Sequence, residues 1–187
     1  PRAGRFLDVE LRPDTRTVAR PESVQIDLGG MMKGSTVDAA SALLPAFSVV
    51  DAGGDARLRG RDWTIDVEDP DDPRRTLLSL RVSDRAVATS AANRRRWRVG
   101  AGVAHHIFDP RTQAPASSDL SQVTVLAPTA ELADVLAKAA FVLGTDAARR
   151  LLERHPDVAA VLVRRTGPPL RLGDLELESD HDRRIPA

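Results

Sequence analysis

The sequence predicts a single α+β domain of mostly antiparallel strands with a few packed helices. Three observations carry this: short alternating segments fill the first half, a 3.6-residue apolar period runs through the second, and no repeat or low-complexity linker divides the chain. The domain is expected over residues 1–177, with a loose tail at 178–187. Five segments read as strands between Pro, Gly and Asp turns: FLDVELR (Phe6 to Arg12), VQIDL (Val24 to Leu28), FSVVDA (Phe47 to Ala52), WTIDVE (Trp63 to Glu68) and LLSLRVS (Leu77 to Ser83).

Three helices follow from their end signals. Ser35 with Asp38 three residues on suggests a capping box, opening a short helix through Ala39 to Leu44 that Pro45 ends. Thr129 is an expected N-cap, Glu131 suits a first turn, and Leu132, Val135, Leu136, Ala139 and Leu143 keep a helical period until Gly144. Thr145 is expected to cap a third helix through Ala147 to His155, stopped by Pro156, before VAAVLVRR (Val158 to Arg165) returns as a strand.

Composition narrows the function classes. The 187 residues carry a formal net charge of zero, and the charges are mixed along the chain, which gives no reason to expect nucleic acid or a membrane surface as partner. No apolar run is long enough to span a bilayer. With no cysteine, disulfides and thiolate metal sites are excluded. The N-terminal PRAGRFLDVELR has neither an initiator Met nor a signal-peptide pattern, so an upstream segment is allowed for and the compartment, cytoplasmic or exported, stays open.

Nearly all basic residues are arginine; the two lysines are Lys33 and Lys138. Lys33 lies in VQIDLGGMMKGSTVDAA, where an expected strand runs through Gly29 and Gly30 into a helix start. Glycines let backbone approach a ligand, a helix start presents free N–H groups, and a lysine adds a point charge, so such a turn suits phosphate. The Walker A spacing is missing. A plain Gly-rich turn with a solvent-facing lysine is the competing reading.

Asp134 and Lys138 stand four apart on the second helix, acid first, which fits an exposed ion pair. The alternative is a carboxylate ligand for a hard cation, and spacing leaves both open. His105 and His106 on a strand would point to opposite faces, so at most one faces a site, where it could act as a general base. Asp109 before Pro110, and Asp55 in AGGDARLRG, read first as turn residues.

In order, these segments resemble the ApbE family of flavin transferases. DLGGMMKGSTVD is similar to D-L-G-[GA]-I-A-K-G-[YF]-A-V-D, VVDAGGDARLRG to V-N-A-G-G-D-[IL]-x-x-x-G, and AVATSAANRRR to A-V-A-T-S-G. HHIFDPRTQAPA is similar to H-H-I-[IF]-D-P-[RK]-T-G-x-P, and VTVLAPTAELADVLAKAAFVLG to the family's V-T-V-[IL]-A-P-[ST] helix segment. The matches are collinear across residues 24 to 144.

The resemblance implies that FAD is cleaved at its pyrophosphate, FMN passes to a Ser or Thr hydroxyl of an acceptor flavoprotein, and AMP leaves, with Mg²⁺ as the usual metal. It assigns the Gly30 carbonyl and the Asp134 carboxylate to the metal, Asp27, Lys33 and Phe108 to flavin-nucleotide contacts, and His106 to the base.

This chain departs from the family at Lys138, where the family places a Thr or Ser metal ligand. An ammonium cannot ligate Mg²⁺, so Lys138 standing in for the metal is one expectation. Met31, Met32, Asp51, Ala91 and Gln113 also differ from the pattern, and the family's N-terminal region has no counterpart before residue 1. The alternatives to transfer are flavin binding without chemistry and hydrolysis of FAD. No D-G-x-T-type acceptor motif occurs in the chain, so self-modification is not expected.

Overall fold

The computed structural model describes residues 6–93, 95–100 and 102–178. Two short exposed strands, β1 (Glu10–Arg12) and β2 (Thr17–Ala19), pair with each other before helix α1 (Met32–Ala42). Then come β3 (Ser48–Asp51), β4 (Asp55–Arg59), β5 (Trp63–Glu68), β6 (Thr76–Val82) and β7 (Ala86–Ala91). Two further hairpins follow, β8 (Arg96–Val99) with β9 (Gly102–His105) and β10 (Phe108–Asp109) with β11 (Ala114–Pro115). The chain continues as β12 (Leu120–Ala127), α2 (Ala130–Leu143), α3 (Thr145–Leu152), β13 (Ala159–Arg164) and β14 (Leu170–Leu172).

The centre is a six-stranded sheet in the order β14-β13-β12-β7-β4-β3, antiparallel at every junction. Successive side chains on a strand face opposite sides. On β7, Ala86 and Ala88 turn to the core beneath the helices while Val87 turns to the core beneath the β5–β6 hairpin; on β13, Ala160 and Leu162 oppose Ala159, Val161 and Val163 in the same way. Both faces are covered, which is why β13 reads as a near-continuous apolar run rather than an alternating one. The α+β expectation therefore holds, as three layers of helices, sheet and hairpin.

Helix α2 sits at the middle of the helical layer. Ala130, Ala133, Ala137 and Ala140 are fully buried beside Phe141, and these small residues let the helix lie close on the sheet. All four N–H groups of its first turn are satisfied: Thr129 accepts from Leu132 N as expected and its carbonyl takes Ala133 N, while Asp38 of α1 accepts from Ala130 N and Glu131 N at 2.9 Å each. Asp38→Ala removes two charge-assisted bonds and is expected to cost about 1–2 kcal/mol, with Asp38→Asn losing less. Thermal unfolding of the two variants checks this.

Several expected boundaries are corrected. Ser35 and Asp38 form no capping box: α1 starts three residues earlier, Asp38 caps α2, and Ser35 Oγ bonds the Glu131 carboxylate. Val24 to Leu28 is not a strand, because Asp27 spends its carboxylate on Gly29 N and starts a 3₁₀ turn at Leu28–Gly30. Phe6 to Arg12 is a 3₁₀ turn followed by β1. Thr145 does not cap α3 with its own side chain; Asp119 at 3.0 Å accepts from its N–H. That helix ends at Leu152, short of His155. Residues 179–187 of the expected tail lie outside the described residues.

Candidate active site

The site begins where the Leu28–Gly30 turn feeds α1. Gly34 is buried one residue past Lys33, and a Cβ there would lie 2.4 Å from the Ala130 carbonyl oxygen and 2.6 Å from Glu131 Cα. Only glycine lets the two helices approach this closely. The approach brings the first turn of α1 beside the first turns of α2, so that Lys33 and Asp134 belong to one cluster.

Lys33 Nζ pairs with Asp55 Oδ2, at the start of β4. Asp55 is buried, which pushes its carboxyl up from the ordinary value; the Lys33 ammonium pulls it back and the neighbouring Asp134 charge pushes it up again. On α2, Lys138 Nζ pairs with Asp134 Oδ1. The two pairs share a design: the Asp134 and Asp55 side chains are 1% and 3% exposed, whereas those of Lys138 and Lys33 are 25% and 40% exposed. Each buries its acid and turns its base toward solvent. The Gly30 turn lies over the Lys138 stem, since a Cβ at Gly30 would sit 3.6 Å from Lys138 Cδ.

The two histidines part company at the end of β9. His105 is structural: its Nδ1 accepts from Ile107 N at 3.3 Å, Nε2 lies 3.1 Å from the Ala116 carbonyl, and the ring meets Phe141 edge-on. That pattern assigns the proton to Nε2. His106 is different, with a buried Nδ1 that has no partner. Burial pushes its imidazole below the ordinary histidine value, a backbone hydrogen bond with Arg95 pushes back, and the positive charges of Arg95 and Lys138 push the same way as burial. Asp109 is engaged by Arg111, whose Nη2 lies 2.7 Å from Oδ2, consistent with its reading as a turn residue.

Gly30, Lys33, Asp134 and Lys138 thus belong to one cluster, and His106 lies near enough to feel the Lys138 charge. Asp27 stands at the entrance to the same turn with its Oδ1 2.7 Å from Gly29 N, and Phe108 is half-exposed on β10, two residues beyond His106. Asp55 is the residue that sequence reasoning placed wrongly. The turn is formed instead by Asp51, which accepts from Gly54 N at 2.8 Å, and Asp55 enters the sheet as a buried carboxylate. The scarcity of lysine was the available signal, because both lysines of the chain hold a buried acid here.

These donors do not fit a resident Mg²⁺, which takes about six oxygen ligands in near-octahedral array. Asp134 offers one carboxylate whose Oδ1 is engaged by an ammonium, leaving a buried Oδ2 without a partner. Among the described residues no group of three or more His, Asp or Glu could hold a metal ion. Nor is any helix among them long and apolar enough to cross a membrane.

Comparison with known proteins agrees with this architecture. The chain is 32% identical over 183 residues to the FAD:protein FMN transferase of Treponema pallidum, covering 84% of this chain and 50% of that protein. It is 30% identical over 171 residues to that of Haemophilus influenzae, covering 86% and 49%. The chain therefore spans about half the length of the curated relatives it matches. Among solved structures, the ApbE protein of Thermotoga maritima superposes with a TM-score of 0.81 at 31% identity, over 91% of this chain and 58% of that one. The flavin transferase ApbE of Vibrio cholerae gives 0.74 at 24% identity, over 93% and 57%, a likeness of fold. The model of the ApbE family matches residues 4–162, and the chain belongs to that family.

Proposed function

We propose that this chain carries the nucleotide-handling part of a FAD:protein FMN transferase, with FAD as donor and a Ser or Thr hydroxyl of a flavoprotein as acceptor. The observation that supports the reading is the grouping of both lysines of the chain, each on a buried acid, with His106 near enough to feel the Lys138 charge. The relatives' activity supports it.

In this reading the acceptor oxygen attacks the FMN phosphorus, the bond from that phosphorus to the bridging oxygen breaks, and AMP leaves with the bonding pair. The hydroxyl proton passes to the His106 imidazole, which burial keeps neutral at pH 7 and so able to accept it. Lys33 and Lys138 hold the pyrophosphate oxygens, and Asp55 and Asp134 fix the two ammonium groups in place. Asp27 and Phe108 contact the flavin nucleotide. No step is assigned to Mg²⁺, because the ammonium of Lys138 already engages Asp134.

Product analysis tests the reading. Incubation with FAD and a peptide bearing the acceptor Thr is expected to give FMN covalently on the peptide and AMP in equal amount. Free FMN with AMP would mean hydrolysis, and unchanged FAD would mean binding alone; either result contradicts transfer.

A further inference from the structure

A buried carboxylate needs a partner of opposite charge, and Asp134 has one supplied by its own helix one turn later. A dication at Asp134 would have to displace that ammonium from Oδ1 and then endure it nearby, tethered to the same helix. It would gain a single carboxylate oxygen in Oδ2, far short of the set a hard cation requires.

The ammonium is also suited to another task. It has three N–H donors, of which Asp134 Oδ1 takes one. Lys33 has the same surplus beyond Asp55 Oδ2. Both acids are buried and both bases partly exposed, and Asp134 and Lys138 are near enough to act on the Asp55 carboxylate that Lys33 holds, so two ammonium groups lie in one cluster, as an anion with several oxygens requires.

We propose that the Lys138 ammonium is the resident cation of Asp134, excluding a divalent ion there, and that with Lys33 it binds the pyrophosphate of a flavin dinucleotide without metal. The ligand half of this assignment rests on the transferase reading above; the cation half rests on the Asp134–Lys138 pair alone.

The test takes the 187-residue chain and its Lys138→Thr and Lys138→Arg variants, with thermal melting to confirm folding of each. Mn²⁺ binding, read by electron paramagnetic resonance without nucleotide, is expected to be at least about tenfold tighter for Lys138→Thr than for the unaltered chain. FAD affinity of the unaltered chain and of Lys138→Arg is expected to change less than about twofold between EDTA and excess Mg²⁺, whereas Lys138→Thr loses about tenfold in EDTA and recovers with the metal. Stoichiometric Mn²⁺ binding by the unaltered chain overturns the proposal, as does a Lys138→Thr variant that gains no Mn²⁺ site. If the Mn²⁺ results are as expected but FAD binds to no variant, the flavin reading fails while the cation assignment stands.

Discussion

Gly34→Ala is expected to lower stability by about 3 kcal/mol, the upper end of ordinary overpacking, because the new methyl meets backbone rather than a side chain that can turn aside. The clash is with the Ala130 carbonyl at 2.4 Å and Glu131 Cα at 2.6 Å, in the turn where Asp38 caps α2. Relief requires α1 and α2 to part, which also lengthens the Asp38 bonds and separates Lys33 from the first turns of α2. For a chain of this size the thermal midpoint is expected to fall by about 6–12 °C. Calorimetry checks the stability, and an Asp38→Ala background checks the coupling: the two losses share one contact and should not add.

His106→Ala is expected to slow FMN transfer by about 10²–10⁴-fold while leaving FAD affinity nearly unchanged, the signature of a group that acts on a proton rather than on binding. Its pH dependence carries a sign. The folded imidazole is held below the ordinary histidine value, chiefly by burial, so the neutral base persists to lower pH than a free histidine. Transfer by the unaltered chain should rise with pH through an apparent value below about 6.5 and be level at neutrality, and this acid limb should vanish from the residual rate of His106→Ala. The same depression makes a stability contribution that is present above the unfolded value and is lost as pH falls through the folded one. A limb centred above 6.5 would remove His106 from the base role.

The elements that were legible in the sequence are those whose signals are local. Helix α2 follows from Thr129, the 3.6-residue period and Gly144, and these describe its ends to the residue. Strands β5 and β6 follow from alternation bounded by turns, matching Trp63–Glu68 and nearly matching Leu77 to Ser83. Signals that depend on distant partners were not legible. Ser35 and Asp38 have the spacing of a capping box, yet Asp38 bonds backbone groups 92 and 93 residues away, and no local pattern shows that α1 lies against the start of α2.

The site divides along the same line. Asp134 and Lys138 are one turn apart on a helix, so their pairing could be read as an option from spacing; its burial could not, because burial comes from the sheet and α1. Asp55 looked like a turn residue because it follows two glycines, and only the packing of β4 beneath α1 makes it a buried acid that needs Lys33. The histidines became distinguishable once β9 ended between them, leaving His105 with the Ala116 carbonyl and His106 with an unpartnered Nδ1.

The most direct test of the central claim, that both ion pairs and His106 form one flavin-nucleotide site, is a crystal structure of this chain grown with FAD. The pyrophosphate is expected within hydrogen-bonding distance, about 3 Å, of both the Lys33 and Lys138 ammonium groups, with the FMN phosphorus facing His106. A pyrophosphate seated elsewhere, or one held with neither lysine, would contradict it.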